Sequence, residues 1–285
     1  MPDEPGNYVL EGRTIVITGA NSGIGRTTAL GLGRRGATLL LAGRSAAPTE
    51  AVVAEVDALD GPGRAEALAL DLADLTSVRA CAAAINARDD APDVLINNAG
   101  LAGAKGVTAQ GFELTFGVNH LGHFLLTTLL LDRLRAAQKP TRIVTVASDA
   151  HKGPKRIDFD AQLRRTKSTK GLREYQVSKL CNVLFTQELA RRLEGSDVTA
   201  YAVHPGVVAS NIWREVPWPI RPIALRFMIT VEEGALCSIH CATAPGIEPL
   251  SGGYFEKGEP KEPSPVATPE LGAELWKRSE EWVGT

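Results

Sequence analysis

Tyr175 and Lys179 are the two side chains whose types and spacing point most directly to chemistry. They stand at positions i and i+4 of a segment, Arg173 to Glu194, whose pattern predicts a helix, so both project from one face. A tyrosine is a poor base at neutral pH, but an adjacent ammonium stabilises the phenolate and lowers the tyrosine pKa. The pair could therefore exchange a proton with a substrate, although chance alone can also produce this spacing.

Polar or small residues follow two of the predicted strands. Ser148 lies just beyond the apolar run Arg142–Val146, at the edge where open α/β sheets bind ligands. Its hydroxyl could hydrogen-bond a reacting oxygen, but a serine at the end of a strand is also ordinary turn material. Asn98, Ala99 and Gly100 end the fourth strand in the same way, and their small size would let the backbone pack along a nucleotide.

Asn119 enters an apolar segment, Val118 to Phe124, that is expected to be a buried helix. A buried amide is costly unless it is hydrogen-bonded. Asn119 therefore either holds a water molecule or satisfies backbone groups.

A glycine-rich loop, Thr18 to Gly25, directly follows the first strand and opens a helix that runs to about Arg35. Gly19 permits a tight turn, Gly23 lets the backbone approach a pyrophosphate, and Gly25 lets the helix pack on the strand. The helix amino terminus would present free N–H groups to the phosphates, or the glycines could be turn chemistry alone. The other loop residues predicted to contact the cofactor are Asn21, Ser22 and Ile24.

Arg44 stands at the end of the second strand, where an NAD-preferring site usually has a carboxylate. Its guanidinium could bind a 2′-phosphate, which favours NADP(H) over NAD(H), or it could simply be solvated. Asp71, followed by Leu72, closes the third strand. Its carboxylate could accept a hydrogen bond from adenine, or it could cap a helix.

Short apolar runs alternate with longer helical stretches along the whole chain. This alternation predicts a single α/β domain over residues 1–285 with a doubly wound, Rossmann-like parallel sheet. Residues 206–230, which contain two tryptophans and several prolines, interrupt the pattern and are predicted to form a substrate lid. The predicted strands are Thr14–Thr18, Ala37–Ala42, Ala65–Leu70, Val94–Ile96, Arg142–Val146, Val198–Val203 and Tyr254–Phe255.

The composition restricts the class of partner. The formal net charge is -2, so nothing suggests binding to nucleic acid or anionic lipid, and a small molecule is the expected partner.

Met1 to Leu10 does not have the pattern of a signal peptide, and the apolar run Phe124 to Leu131 is too short to span a membrane, so we expect a cytoplasmic protein. The four cysteines fall in apolar segments without clustered partner ligands, which argues against a metal site. The number of subunits stays open, a homo-oligomer included.

Together these motifs resemble the short-chain dehydrogenase/reductase family from roughly Leu10 to Phe255. The family pattern Thr-Gly-x-x-x-Gly-x-Gly matches Thr18 to Gly25, Asn-Asn-Ala-Gly matches 97–100, and Tyr-x-x-x-Lys matches Tyr175 and Lys179. The Pro-Gly pair beside the nicotinamide in the family matches Pro205 and Gly206. By the same likeness Val208 and Ser210 would also contact the cofactor.

The resemblance implies a role for each matching residue. Tyr175 would be the general acid/base, Lys179 would lower its pKa and bind the nicotinamide ribose, and Ser148 would orient and polarise the carbonyl. Asn119 matches the family residue that holds a water linking Lys179 to solvent. His120 lies in the same segment and is expected, like His123, to be structural, because Tyr175 and Lys179 already supply acid/base chemistry.

Within the family, the chain looks most like the retinol dehydrogenase and WW-domain-containing oxidoreductase branch, which mostly uses NADP(H). The segments Val118 to Phe124, Leu184 to Leu193 and His204 to Val208 carry this likeness. It implies an NADP(H)-dependent oxidoreductase that interconverts a carbonyl and an alcohol on a lipophilic or aromatic molecule. A catalytically silent NADP(H)-binding regulator and a C=C reductase are the alternatives. The basic loop Asp149 to Leu172 could contact an anionic substrate or simply be solvated.

Overall fold

One eight-stranded sheet forms the centre of the protein. The structure is a computed structural model that describes residues 10–137, 139–168, 170–206 and 229–284. Seven strands are parallel, and each adds hydrogen bonds to a neighbour in the same direction. The strands are β1 (Thr14–Thr18), β2 (Thr38–Gly43), β3 (Arg64–Ala69), β4 (Val94–Asn97), β5 (Thr141–Val146), β6 (Val198–His204), β7 (Tyr254–Glu256) and β8 (Glu259–Lys261).

The strand order is β3-β2-β1-β4-β5-β6-β7-β8. The chain builds the sheet outward from β1 in one direction through β3, then returns and continues from β4 in the other. Ligands of such sheets bind outside the carboxyl ends of the strands, at the point where the order reverses. The predicted doubly wound, single-domain α/β fold is confirmed, and this reversal places the crevice beside β1 and β4.

Strand β8 was not among the predicted strands. It is three exposed residues, Glu259, Pro260 and Lys261, and it pairs antiparallel with β7 at the edge of the sheet. A short polar segment has no apolar alternation to reveal it. Its proline and its charges suit an edge that must not pair with another chain.

Helices cover both faces of the sheet, because its central strands are apolar on both sides. In β2, Leu39 and Leu41 pack against the face covered by α1, α2 and α6, while Leu40 packs against the face covered by α3, α4, α5 and α7. The helices are α1 (Gly23–Gly33), α2 (Ala46–Asp57), α3 (Leu75–Asn86), α4 (Leu114–Arg135), α5 (Leu172–Arg192), α6 (Val231–Thr243) and α7 (Pro269–Val283).

Helix α4 is the long apolar helix of the core. Residues Gly117–Leu121 form a π-helical turn between its two α-helical parts. Over its 22 residues it is long and apolar enough to cross a membrane by length and composition alone. Of its most apolar window, 83% is buried inside the protein, which is the environment of a core helix.

The predicted lid, residues 206–230, falls almost entirely on residues 207–228, which lie outside the described residues. Val208 and Ser210, predicted to contact the cofactor, lie there as well. The described chain resumes at Ile229, and Thr230 caps α6 with a reciprocal pair of hydrogen bonds to Glu233.

Candidate active site

The glycine-rich loop lies at the carboxyl end of β1 and leads into α1. Gly19 has a φ of +66°, and a Cβ on Gly25 would come within 2.5 Å of Nδ2 of Asn98, so both positions require glycine. A Cβ on Gly23 would meet nothing within 4 Å, so the loop is open on that side. Ser22 caps α1 without a side-chain hydrogen bond, and the first turn has no acidic residue. The free N–H groups therefore suit an anion such as a pyrophosphate, with Asn21 and Ile24 in the same loop.

Thr18 ties this loop to the turn that follows β4. Its Oγ1 accepts hydrogen bonds from the backbone N–H groups of Asn98 and Ala99, both at 3.0 Å. In return, Nδ2 of Asn98 donates to the carbonyl of Thr18 at 2.8 Å and to that of Gly19 at 3.3 Å. The Asn98 side chain is thus used within the protein, and it fixes the two loops that border the crevice.

Arg44 and Asp71 follow the neighbouring strands β2 and β3. Arg44 is exposed, and it makes no hydrogen bond or ion pair to any described residue. Asp71 accepts a hydrogen bond from the N–H of Ala73 at 2.9 Å. The residue that caps α3 is Asp74, which accepts from Thr76, so the capping alternative for Asp71 is wrong. Leu72 is buried against Gly122 of α4.

Tyr175, Ser148 and Lys179 converge beyond the carboxyl ends of β4 and β5. The Ser148 hydroxyl lies close enough to the Tyr175 phenol to lower its pKa. Ser148 also accepts from the N–H of Ala150 at 3.2 Å, which fixes the serine at the start of a 3-10 turn. The Lys179 Nζ lies 5.7 Å from the centre of the Tyr175 ring and donates to the carbonyl of Val146 at 2.8 Å.

The pKa values of this pair depart from their ordinary values because both side chains are buried. Burial raises the pKa of Tyr175, and the nearby Ser148 hydroxyl partly offsets the rise. Burial lowers the pKa of Lys179 to about 8. The sequence predicts the opposite direction for Tyr175, but the Lys179 ammonium is hydrogen-bonded to Val146 instead of the phenol oxygen. Tyr175 is therefore a neutral phenol that holds a proton at neutral pH.

Asn119 joins the two halves of the site through its side-chain amide. Its Oδ1 accepts from the N–H of Leu101 at 2.7 Å, and its Nδ2 donates to the Leu101 carbonyl at 2.9 Å and to Oγ of Ser178 at 3.0 Å. A Cβ on Gly100 would lie 3.4 Å from this Oδ1 and 3.6 Å from the Lys179 Nζ. Of the two expectations for Asn119, the side chain follows the second, because its amide satisfies the backbone N–H and carbonyl of Leu101.

Ser178 is a site residue that the sequence reasoning missed. Its hydroxyl donates to the carbonyl of Tyr175 at 2.8 Å and accepts from Asn119, so it fixes the helix turn that carries the tyrosine. The available signal was a serine on a helix face that is otherwise apolar, directly before Lys179. Polar residues on a buried face need a partner.

His120 and His123 have the structural surroundings expected of them. His120 is buried with Nε2 3.0 Å from Oγ of Ser279 on α7. His123 is buried with Nε2 2.8 Å from Oγ1 of Thr18 and Nδ1 3.1 Å from the Asn119 carbonyl. Burial lowers the pKa of His120 to about 3 and that of His123 to about 4, so both rings are neutral.

Among the described residues, Asp149, His204 and Glu256 bring potential metal-ligand atoms within 4.8 Å of one another. The Lys152 ammonium already contacts Asp149 at 2.8 Å, where a metal cation would stand. His204 accepts from the N–H of Gly206 through Nδ1 at 3.3 Å, so its neutral ring carries the proton on Nε2. Ligation of a metal through Nε2 would move the ring proton to Nδ1, so the hydrogen bond from Gly206 would be lost.

Pro205 and Gly206 follow β6 directly and are the last described residues before the gap. Gly206 has a φ of +88°, which favours glycine at this turn. The pair stands beyond the carboxyl end of β6, the neighbour of the strand that leads to Ser148.

Comparison with known proteins agrees with this geometry. The short chain dehydrogenase family profile matches residues 13–158. Retinol dehydrogenase 12 from Homo sapiens is 44% identical over 98% of this chain and 88% of its own length. Dehydrogenase/reductase SDR family member 13 from Bos taurus is 45% identical over 96% of this chain and 74% of its own length. The chain belongs to the short-chain dehydrogenase/reductase family.

Solved structures of this family share the fold. An uncharacterised protein from Mycobacterium paratuberculosis superposes with a TM-score of 0.80 at 36% identity and covers 98% of this chain and 96% of its own. A structure described as an NAD(P)-dependent gluconate 5-dehydrogenase from Beutenbergia cavernae, with NADP bound at low occupancy, has a TM-score of 0.71 at 28% identity. It covers 87% of this chain and 96% of its own. As a member of this family, the chain is an oxidoreductase, and its relatives include retinol dehydrogenases, as the sequence predicts.

Proposed function

We propose that this chain is an NADP(H)-dependent oxidoreductase that interconverts a carbonyl and an alcohol, with Tyr175 as proton donor and acceptor. The observation that carries the proposal is the convergence of the Ser148 hydroxyl and the Lys179 ammonium on Tyr175, beyond the carboxyl ends of β4 and β5. A tyrosine and a serine hydroxyl that lie close together can both bind a single substrate oxygen. Proton transfer then occurs at that oxygen.

The chemistry of each residue follows from its surroundings. Tyr175 is a neutral phenol because burial raises its pKa, so it can donate a proton to the oxygen of a carbonyl. The Ser148 hydroxyl accepts a hydrogen bond from the Ala150 N–H, and its own proton is available to the same substrate oxygen. The nicotinamide, when bound, supplies or accepts the hydride. Ser178 fixes the helix turn that carries the tyrosine, and Lys179 lies beside its ring. Alcohol oxidation reverses each of these proton movements.

The residues around the glycine loop fit a dinucleotide. The uncapped first turn of α1, the open side at Gly23 and the tight contacts at Gly19 and Gly25 together form a loop that accepts a pyrophosphate. Lys179 and Gly100 adjoin one another at the end of this crevice nearest Tyr175. They would hold the nicotinamide ribose.

Three observations support NADP(H) over NAD(H). Arg44 is exposed and makes no hydrogen bond or ion pair with described residues, so its guanidinium is available to a 2′-phosphate. Ser45, which begins α2, makes no side-chain cap, and the first turn of that helix has no acidic residue. The Beutenbergia cavernae relative holds NADP.

A lipophilic or aromatic substrate is proposed from the curated relatives named retinol dehydrogenases. The sequence adds an apolar segment at the predicted lid, which lies outside the described residues. Its large apolar members are Ile212, Trp213, Val216, Trp218, Ile220, Leu225, Phe227 and Met228.

The proposal is tested by following NADPH absorbance with a panel of aldehydes, ketones and quinones for the wild type and for Tyr175→Phe. We expect turnover of at least one carbonyl, and a loss of about 100-fold or more in kcat for Tyr175→Phe with NADPH still bound. Tyr201→Phe is the matched control, because the Tyr201 hydroxyl is buried and donates to the Ile247 carbonyl, on the other face of the sheet.

Three results would contradict the proposal. Equal rates for the wild type and Tyr175→Phe would remove the role of the tyrosine. Binding of NADPH without turnover of any substrate would favour a silent regulator. Oxidation of NADPH only with activated C=C substrates would favour the reductase alternative.

A further inference from the structure

His151 is a fully buried side chain, three residues after Ser148, whose two ring nitrogens both have partners. Its Nδ1 lies 2.7 Å from the carbonyl oxygen of Ser148. Its Nε2 lies 2.9 Å from the backbone nitrogen of Ser264, in the segment between β8 and α7. The ring therefore joins the turn that carries Ser148 to a part of the chain more than a hundred residues away.

The partners of His151 decide where its proton lies. A backbone N–H can only donate, so Nε2 must accept from Ser264 and the single proton of the neutral ring is on Nδ1. That proton is donated to the Ser148 carbonyl. Burial lowers the pKa of His151, and Lys152 and His204 act in the same direction. The hydrogen bond to the Ser148 carbonyl and the Asp149 carboxylate oppose them only in part, so the ring stays neutral.

Ser264 depends on this hydrogen bond. It is buried between Pro263 and Pro265, neither of which has an N–H group. Its N–H is thus the one backbone donor in this three-residue stretch, and a buried donor without a partner is costly. The His151 ring supplies the acceptor, which anchors the ring on its far side.

A second contact supports the same turn. The hydroxyl of Tyr254, on β7, donates to Oδ1 of Asp149 at 3.0 Å, and its ring lies 4.6 Å from the ring of His151. The residues after Ser148 are therefore held from one side by the carboxyl-terminal part of the chain. The Ser148 carbonyl accepts two hydrogen bonds, from the His151 backbone N–H at 3.0 Å and from the His151 ring at 2.7 Å, so rotation of this backbone would break both.

We infer that His151 is a positioning residue for Ser148, holding the serine carbonyl through Nδ1–H so that the hydroxyl stays directed at Tyr175 and the substrate oxygen. This inference rests on the proposed function of Ser148. His151 touches neither substrate nor cofactor in this role. It acts through the serine backbone.

Two substitutions of His151 remove its two ring hydrogen bonds one at a time. His151→Asn keeps a donor at the position of Nδ1 and loses the acceptor for Ser264, while His151→Gln keeps an acceptor near Nε2 and loses the donor for Ser148. We expect His151→Gln to lower kcat about tenfold or more toward the value of Ser148→Ala, with the KM for NADPH unchanged. His151→Asn should stay within about threefold of the wild-type kcat, which is a partial rescue by the variant that keeps the donor.

The control is His120, a buried histidine that contacts the carboxyl-terminal helix α7. His120 bonds to Ser279 at 3.0 Å but has no contact with the Ser148 turn. His120→Asn and His120→Gln should lower the unfolding temperature and leave kcat as in the wild type. If the two His151 variants lower kcat equally, or if only their unfolding temperatures change, the positioning role is overturned.

A titration of Tyr175, which needs no substrate turnover, tests this inference independently of the proposed function. The Ser148 hydroxyl lowers the pKa of Tyr175, so releasing the serine should raise it. The titration of Tyr175 is measured as the difference in phenolate absorbance between each variant and the same variant carrying Tyr175→Phe. His151→Gln should shift this titration upward as Ser148→Ala does, and His151→Asn should not. An unshifted titration in His151→Gln overturns the inference, even if no substrate is ever found.

Discussion

Oγ1 of Thr18 and Nε2 of His123 lie 2.8 Å apart, although 105 positions separate the two residues in the chain. Because Thr18 Oγ1 already accepts the N–H groups of Asn98 and Ala99, its own proton goes to the histidine. The other ring nitrogen of His123 then donates to the Asn119 carbonyl. One buried network thus joins the glycine loop, the turn after β4 and the π-helical turn of α4.

Replacing Thr18 with valine tests this network. Thr18→Val keeps the shape but leaves the Ala99 N–H without an acceptor and His123 Nε2 without a donor, while the Asn98 N–H keeps only the Ile96 carbonyl. We therefore expect a loss of about 2 kcal/mol or more in the free energy of unfolding. NADPH should also bind more weakly, because the loops at the crevice lose their common anchor. Thr18→Ser keeps the hydroxyl and should behave nearly as the wild type. Urea unfolding and NADPH fluorescence titration measure both effects, and a valine variant as stable as the serine variant would contradict the network.

Arg44→Ala should change cofactor preference. We expect NADPH binding to weaken about tenfold or more while NADH binding stays unchanged, since only NADPH has a 2′-phosphate for the guanidinium. Arg34→Ala, which removes an exposed arginine at the end of α1, is the control and should affect neither cofactor. Equal weakening for both cofactors, or none, would show that Arg44 does not read the 2′-phosphate. The measurement is the ratio of the two dissociation constants for each variant.

Two glycine substitutions of identical chemistry should have opposite effects. A Cβ on Gly25 would overlap Asn98 Nδ2 at 2.5 Å, so Gly25→Ala should cost about 1–3 kcal/mol of stability and weaken NADPH binding. A Cβ on Gly272, within α7, would be at an ordinary 3.5 Å from its nearest neighbour, the Leu184 carbonyl. Gly272→Ala should therefore stabilise the protein by about 0.5–1 kcal/mol through its helix preference. Chemical unfolding measures the free energy of unfolding of both variants. If both substitutions change it in the same direction, the packing argument for Gly25 is contradicted.

Lys179 should make stability depend on pH in a particular direction. Its pKa is about 8 in the folded protein, below the ordinary 10.5 of the unfolded chain. Between these values the unfolded chain binds more protons, so stability rises with pH. Compared with Lys179→Met, the wild type should gain about 2 kcal/mol between pH 7 and pH 10.

The comparison with Lys179→Met is needed because buried thiols titrate in the same range with the opposite effect. Burial raises the pKa of Cys81 to about 11, so that thiol stays protonated in the fold above the pH where it ionises in the unfolded chain. Both proteins share this contribution, and the difference between them isolates the lysine. Parallel stability curves for the two proteins would show that the Lys179 pKa is not lowered.

Most of the parallel sheet could be predicted because its strands are buried on both faces. Thr14–Thr18 matches β1 at both ends, and Ala37–Ala42 differs from β2 by one residue at each end. The buried apolar runs and the Gly, Asp and Asn residues that end them are local signals. Strand β8 has no such signal, since Glu259–Lys261 becomes a strand only through its backbone pairing with β7.

The candidate site was likewise predicted only in part. Tyr175, Ser148 and Lys179 were predicted from residue type and spacing, and the structure brings them together. The direction of the Tyr175 pKa could not be read from spacing, because it depends on how deeply the fold buries the ring and on where the Lys179 ammonium points. The supports of the site were missed for a related reason. His151 and Ser178 are common residue types, and the bond of His151 to Ser264 spans more than a hundred residues.

The π-helical turn at Gly117–Leu121 sets the phase between the two ends of α4. A π turn accommodates one residue more than an α turn, so every side chain after it is rotated by about 100° relative to an uninterrupted helix. This rotation lets Asn119 face Leu101 and Ser178 while Phe124 and Leu125 still face the core. Because the π turn accommodates one extra residue, deletion of a single residue here would return the turn to α-helix and leave the apolar stripe of α4 facing the core. The contacts of Asn119 with Leu101 and Ser178 would be lost instead.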